Sequence, residues 1–532
     1  MDGTCAVDGG ADAADATDAA ARDDASHDAS LDAERDASAP CVPTGEADDP
    51  DPMHVDADCD GIDGEAARSV FVSPDGDDAN EGTSPEDAVR TIPRGIEIAS
   101  TLGRSAVLIA EGSYVGSIEL VEGVSLYGGY RAPTFTRDGS RALVTAPSPA
   151  LVGVDITERT RLAELDIRAD DALRAESSIA ASLTNCAGVE LLDVDLSAGR
   201  GGDGLTPMIA AAAGAAGSPG ARGSDGGYTG SGCPTVLSEA PPVGDGGASA
   251  CGCRSGGAGG AAGGYYDGSR TSVAGRGAVG LAGPTSGAFP CDFINGGSKG
   301  RAGTDSARNG GPGGRGDDGD PGSDGNGGAS VGTFAAGAYM PADGHRGGRG
   351  TPGDGGGGGG GGHGGYCYSG SDFCTASGGS GGGGGGGGCG GDGGEPGTGG
   401  GASIALLLWG STVALHDVAL HTSDGGDGGD GGEGGPGGPG GSGGAGGSPV
   451  AGASCSGRGG SGGIGGRGGP GGGGGGGGGG PSFGIVLGGG AALDPASTNV
   501  GFDIGRGGAG GTGAGVANDG ATGLSDDMYA VP

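Results

Sequence analysis

The sequence predicts an all-β chain of stacked coils, a β-solenoid whose successive turns release long glycine-rich excursions. Three observations lead there. The pattern Val-x-Leu-x-Asp-Val-x-Leu-x-x-x-x-Gly-Gly-Asp-Gly occurs twice, from Val189 to Gly204 and from Val413 to Gly428, so one structural unit has been repeated. Each copy has a similar approach, Ser178-Ile179-Ala180 and Ser403-Ile404-Ala405, with a weaker third at Ser482-Phe483-Gly484. Short apolar segments near Leu108, Leu126, Val144, Leu165 and Leu183 recur at intervals of roughly twenty residues, the length of one coil.

Composition limits how much of the chain can pack. Glycine fills 147 of 532 positions and aromatics only 4%. Branched apolar residues concentrate between Val70 and Leu196, from Ile404 to Leu420 and from Phe483 to Ile504, which points to one modest core. The net charge of -40, with a single lysine at Lys299, excludes nucleic-acid binding, because phosphate neutralisation needs clustered cations. No apolar run is long enough for a transmembrane segment. The twelve cysteines, scattered through polar and glycine-rich sequence, suit disulfides in an oxidising compartment. A zinc site at His363, Cys367, Cys374 and Cys389 lacks paired spacing. A secreted or cell-surface location is expected, yet Met1-Asp2-Gly3-Thr4 is no secretory signal, so export or a lipid anchor behind Cys5 would depend on an upstream segment.

Along the chain, residues 1–40 alternate Asp with Ala and Ser and are expected to be a disordered tether. Residues 41–66 contain Asp56-x-Asp58-x-Asp60-Gly61-x-Asp63, a calcium-loop signature in which alternate carboxylates converge on a hard cation. Asp56, Asp58, Asp60 and Asp63 are therefore the candidate ligands of a structural calcium ion, and a plain acidic turn is the alternative reading. An EF-hand is excluded because Ala67 occupies loop position 12; the segment more closely resembles the aspartate-rich repeats of thrombospondin type 3, and a Cys41–Cys59 bridge would close it. Residues 67–200 follow as the first coils, with Thr91 to Leu102 an amphipathic capping helix that covers an open edge. Then come a glycine-rich insertion at 201–401, a coil at 402–424, a glycine-rich hairpin insertion at 425–480, a last coil at 481–505 and a glycine-rich tail at 506–532. Within the repeat the apolar alternation slips by one at Leu192-Asp193 and at His416-Asp417, so each pair must turn a corner.

The order Val70-Phe71-Val72, a Gly/Asp turn, one helix, Val107-Leu108-Ile109-Ala110-Glu111-Gly112-Ser113-Tyr114 and Val124-Ser125-Leu126-Tyr127-Gly128-Gly129-Tyr130 resembles the opening of pectin-lyase-like proteins. The resemblance implies an all-β, right-handed parallel β-helix, carrying long polyglycine or PPII-like insertions and a disordered acidic N-terminal segment. It covers about 70 to 200 well and none of the glycine tracts, whose composition resembles mycobacterial PE-PGRS proteins without their N-terminal Pro-Glu domain.

From Asp424 to Gly447 run eight X-Gly-Gly triplets, X being Asp, Asp, Asp, Glu, Pro, Pro, Ser and Ala, and period three is that of polyproline II. Two readings stay open, ordered hydrogen-bonded legs and disorder, since ordering each glycine costs on the order of 1–2 kcal/mol with no side chain to bury. The uniform tracts Gly355 to Gly362 and Gly471 to Gly480 specify no register and are expected to be loose.

For function, the preferred expectation is an exported or cell-surface, non-enzymatic structural or adhesion protein whose partner, unknown from sequence, would be a surface glycan or envelope component. A polysaccharide lyase or glycosidase is the first alternative. Arg159, Arg161, Arg168 and Arg174 beside Asp155, Asp166, Asp170 and Asp171 read as solvated turn charges, and His416-Asp417 lacks a nucleophilic serine, so no catalytic residue is assigned. An ice- or glycan-binding polyglycine bundle is the second alternative.

Overall fold

The computed structural model describes residues 41–45, 48–229, 241–252, 254–263, 274–278, 296–302, 304, 307–335, 337–369, 372–451 and 455–532. The expected tether at 1–40 lies outside them, as do Cys5, Cys233, Cys253 and Cys291.

The first strands are β1 (Ser69–Val72), β2 (Ala106–Ala110), β3 (Gly112–Val115), β4 (Ile118–Glu119), β5 (Ser125–Arg131), β6 (Thr136–Ser140), β7 (Ala142–Ala146), β8 (Leu151–Val154), β9 (Thr160–Ala169), β10 (Ser178–Thr184) and β11 (Val189–Ala198). Short strands β12 (Tyr228–Thr229), β13 (Thr333–Ala335), β14 (Ala338–Met340), β15 (Gly365–Ser369) and β16 (Asp372–Ala376) follow. The chain ends with β17 (Ser403–Trp409), β18 (Thr412–Thr422), β19 (Ser482–Gly488), β20 (Ala492–Leu493), β21 (Thr498–Asp503) and β22 (Ser525–Ala530). Sheet A has eleven strands on the path β1-β2-β5-β9-β11-β18-β20, with β3, β6, β7 and β21 beside it; sheet B has six, in the order β22-β19-β17-β10-β8-β4. Pairing is parallel throughout sheet B and in sheet A apart from β5 with β6.

The closed right-handed β-solenoid expected from the sequence is not what forms. Two separate, mostly parallel sheets share one apolar core, no named strand of sheet A is paired with one of sheet B, and a helix packs on them, which is a parallel, α/β-like arrangement. The all-β expectation fails for a physical reason. Between a sheet B strand and the next sheet A strand, Asp155, Asn185, Gly410 and Gly489 take positive φ and turn the chain sharply, so the strands on either side of the turn fall into two different sheets.

Helix α1 (Ile92–Leu102) begins at Thr91, whose side chain accepts from the Arg94 N–H, and stops at Gly103 in the left-handed region. Its buried face, Ile92, Gly95, Ile96, Ile98 and Ala99, lies against β1 and β2. A Cβ on Gly95 would come 2.6 Å from Val72 Cγ2, so glycine sets how closely helix and strand approach.

The two copies of the repeat are neighbours in sheet A, Glu190 paired with Ala414 and Leu196 with Leu420. Glu164, Asp193, Asp417 and Asn499, aligned across β9, β11, β18 and β21, all have φ between 48° and 53°. This column is the phase slip seen in the apolar spacing: Leu191 and Val194 both point inward, as do Leu415 and Val418. Asn499 Nδ2 donates to Asp417 Oδ1 at 2.8 Å, one rung supporting the next.

The glycine excursions leave the C-terminal ends of β11, β18 and β21 and keep the strands' order. Gly201 N–H donates to the Asp424 carbonyl and Gly425 to that of Arg506, and from there hydrogen bonds repeat every three residues. The leg at 376–401 donates in three directions from consecutive residues, Gly383 to Ala221, Gly384 to Gly257 and Gly385 to Gly463. It accepts from Gly444, Gly247 and Gly356. A Cβ on Gly383, Gly384 or Gly385 would lie 1.9 Å from the carbonyl oxygen of Asp245, Gly356 or Gly441. The stretches at 356–362 and 474–480 are surrounded in the same way, whereas 342–354 and 457–470 keep one free edge, with Arg346, Arg349, Arg458, Ile464 and Arg467 exposed.

The tracts Gly355 to Gly362 and Gly471 to Gly480, expected to be loose, are ordered instead; from Gly356 to Gly362 and from Gly474 to Gly480 they are pure glycine because neighbouring backbone occupies every direction. X-Gly-Gly marks a leg with one free edge: Asp427, Asp430, Glu433, Pro436, Pro439, Ser442 and Ala445 are exposed, while Gly429, Gly435, Gly438, Gly441 and Gly444 are buried. On such edges carboxylates replace the missing neighbour. Asp203 Oδ1 accepts the Asp427 N–H at 2.9 Å, and Asp427 Oδ1 accepts that of Ala509 at 2.8 Å. A Cys251–Cys389 disulfide ties two legs together. The hairpin β13–β14, between legs, folds onto the outer face of sheet B, where Phe334 meets Tyr529 and Tyr529 stacks on Phe483 at 4.6 Å between centroids. The expected glycine-rich tail contains β22, which extends sheet B beside β19.

A methyl group separates the two kinds of position. Gly384→Ala is expected to destabilise the chain by about 3 kcal/mol or more, since bonded neighbours cannot retreat, whereas Ser442→Ala stays within about 0.5 kcal/mol. Urea unfolding of the two variants would check this, and equal midpoints would refute the enclosed-leg assignment.

Candidate functional site

The segment at 41–66 carries the calcium-loop signature, and its local structure is set by carboxylates accepting backbone N–H groups. Asp56 accepts from Asp60 and Gly61, Asp58 from Asp60, and Asp60 from Ile62. Buried Asp48 accepts from Ala57 at 2.8 Å and Gly64 at 2.9 Å. The Cys41–Cys59 disulfide closes the segment. Asp48, Asp56 and Asp58 place one oxygen each within 4.8 Å of one another. Of the predicted ligands, then, Asp56 and Asp58 come together, with Asp48 as a third that the motif did not include. Asp60 and Asp63 are not in that group. Burial raises the Asp60 carboxyl above its ordinary value, opposed by the bond from Ile62.

Asp63 has another task. Its carboxylate faces Arg137 Nη1 at 2.8 Å, both side chains 2% exposed, and the Tyr130 hydroxyl donates to its carbonyl. Arg137 Nη2 reaches Glu164 Oε1 at 2.9 Å, Nη1 donates to the Asp51 carbonyl at 2.9 Å, and the guanidinium lies 5.3 Å from the centre of the Tyr130 ring. His54 Nε2 lies 2.8 Å from the same Glu164 oxygen. One arginine thus fastens the acidic loop to sheet A. Burial pushes the Asp63 carboxyl up to about 6, with Arg137 pulling the other way. Tyr130 is pushed up by burial too.

Where the loop crosses sheet A it leaves a cleft of about 340 Å³. Pro50, Asp51 and Pro52 form one wall; the floor is the bend in the strands, Ala163-Glu164, Leu192-Asp193 and His416-Asp417, with Tyr127, Arg137, Arg161 and Thr498. The left-handed column therefore sets the site, because each bend lifts a polar residue out of the ladder. Gly129 stands next to it at φ 87°, and a Cβ there would collide with Glu164 Oε2. Arg161 is held by Glu190 at 2.8 Å, which also takes Arg159. Arg141 spans Asp166, Asp193 and Asp195. His416 Nδ1 sits 3.1 Å from Thr498 Oγ1.

No family model, no curated protein and no solved structure matches the chain. Neither the pectin-lyase-like nor the PE-PGRS resemblance gains a relative from these comparisons. Among the described residues, no helix is long and apolar enough to cross a membrane.

Sequence reasoning placed His416, Asp417 and Arg161 on surface corners and passed over Asp48, His54, Arg137 and Glu164. Glu164 had a signal: the inward spacing of Leu162 and Leu165 slips by one, as in the repeat. Arg137 and His54 had none, since their partners lie 74 and 110 residues away.

The sign of the Asp63 effect is definite. A carboxyl raised from 3.8 to about 6 on folding favours the folded state most below pH 3.8 and loses that contribution as pH rises to about 6. Asp63→Asn lacks the term, so it should gain on the wild type by on the order of 1–3 kcal/mol between pH 4 and pH 6.5. Thermal unfolding of both proteins across that range would read it; a constant difference would show that Asp63 titrates normally. Arg137→Met, which leaves two carboxylates buried without a cation, should cost about 3–5 kcal/mol at neutral pH.

Proposed function

We propose that this chain is an exported, non-enzymatic structural or adhesion protein, in which the two sheets anchor a stiff glycine bundle that contacts a surface glycan or envelope component. The observation that carries the reading is the enclosure of pure-glycine stretches by other legs, which builds a rigid, side-chain-poor body rather than a catalytic pocket. Its outer legs place side chains at every third position, and the leg at 200–229 holds Met208 and Ile209 98% and 82% exposed. Apolar residues held out on a rigid edge, without a core to join, suit contact with a partner. The disulfides Cys41–Cys59 and Cys251–Cys389 support an oxidising, extracellular setting. A calcium ion at the acidic loop belongs to the same proposal, and Asp48, Asp56 and Asp58 are the residues that would hold it.

Retention of the full chain on isolated envelope polysaccharide should fall at least about tenfold, or 1.4 kcal/mol, when Met208 and Ile209 are both changed to Ser, with unfolding temperature unchanged. Equal retention, or release of reducing ends or unsaturated uronates from the polysaccharide, would overturn the reading. Millimolar calcium should raise the unfolding temperature of the wild type but not of Asp58→Asn; identical responses to calcium and to a chelator would remove the ion.

A further inference from the structure

None of the residues lining the sheet A cleft belongs to a glycine leg, so a display role leaves the cleft without a task. We propose that it is a binding site for an amino sugar, a small polyhydroxylated ring bearing one free ammonium group.

Charge decides the sign of the ligand. Arg137 is shared between Asp63 and Glu164, so this buried trio carries one negative charge in excess. Glu164, its side chain only 8% exposed, spends Oε1 on Arg137 and His54 and leaves Oε2 buried with no hydrogen-bond partner. That oxygen is packed against Gly129 and out of a ligand's reach, so Glu164 acts on the cleft through its charge. The rim adds Asp51 and Asp417 against one further arginine, Arg161, which shares Glu190 with Arg159. A uronate or a phosphate would meet net repulsion here; an ammonium group would meet attraction.

Geometry separates an organic cation from a metal ion. Among the described residues, only Asp48, Asp56 and Asp58 bring three acidic or imidazole ligands within 4.8 Å, and none of them lines the cleft. The acids of the cleft are spread over a floor several strands wide, a spacing that suits one ammonium and several hydroxyls. Tyr127, Leu192 and Pro52 offer apolar surface to the C–H face of a ring, while His416 and Thr498 offer hydroxyl partners. At about 340 Å³ the space lies at the lower end for small-molecule sites and takes a single sugar unit.

The test is calorimetric titration of the full chain with glucosamine, glucose and galacturonate. Glucosamine should bind with a dissociation constant on the order of 1 mM, and the other two at least about tenfold more weakly. Glu164→Gln should weaken glucosamine binding at least about tenfold. If that variant unfolds, Asp417→Asn combined with His416→Ala decides the matter, because Asn499 already holds the same backbone conformation one strand away. A chitosan tetramer that binds as tightly as the monomer would place the site at polymer ends; binding of the monomer alone would make the ligand a free sugar. Equal affinity for glucose and glucosamine, no binding of either, or binding untouched by the variants would overturn the proposal. Loss of Met208 and Ile209 should leave this binding unchanged, so the display reading and the amino-sugar site fail separately.

Discussion

Backbone hydrogen bonding in three directions at once is the constraint on which the rest of this molecule depends. A leg with three residues per turn points successive N–H groups at three different neighbours, and the stretches at 356–362, 377–389 and 474–480 use all of them. Each net bond is worth about 1 kcal/mol, close to the cost of ordering one glycine. Only a lattice in which nearly every amide is paired can hold, and such a lattice has no space for a Cβ. Where the lattice ends, side chains stand in for the absent leg. Asp203, Asp225, Asp318 and Asp430 each accept a backbone N–H from the adjacent leg, and all four carboxyls lie below their ordinary value. Part of the acidity of the chain is thus a structural edge treatment.

The sheets supply what the lattice cannot, a register. Uniform glycine can slide by three residues without changing a contact, but β10, β17 and β19 are locked side by side through Ile179, Ile404 and Phe483, and β11 and β18 through Leu196 and Leu420. Legs leaving these strands begin in step. The Cys251–Cys389 bridge and the β13–β14 hairpin on sheet B pin them again further along the chain.

Much of this was legible in the chain itself. The duplicated unit marked two strands that do lie side by side, the apolar slip at Asp193 and Asp417 marked the bend, and Thr91 marked the start of the helix. The closed solenoid was not correct: a list of evenly spaced strands says nothing about how they divide between sheets, and the sharp turns at Asn185 and Gly410 put the strands on either side into different ones. Strand β22 escaped notice because Ser525-Asp526-Asp527-Met528 looks polar and becomes a strand only beside β19. The cleft was hidden for a related reason, since Arg137, Asp63, His54 and Glu164 come from three distant stretches.

What the sequence by itself determined is local: which stretches alternate, where alternation slips, where a glycine period of three begins and which loop can gather carboxylates. Which glycine tract lies inside, which acid meets Arg137 and which meets Asp48 was decided only in the folded chain. Pure glycine holds no preference of its own, and a buried charge settles on whatever opposite charge the packing of distant strands brings within about 3 Å.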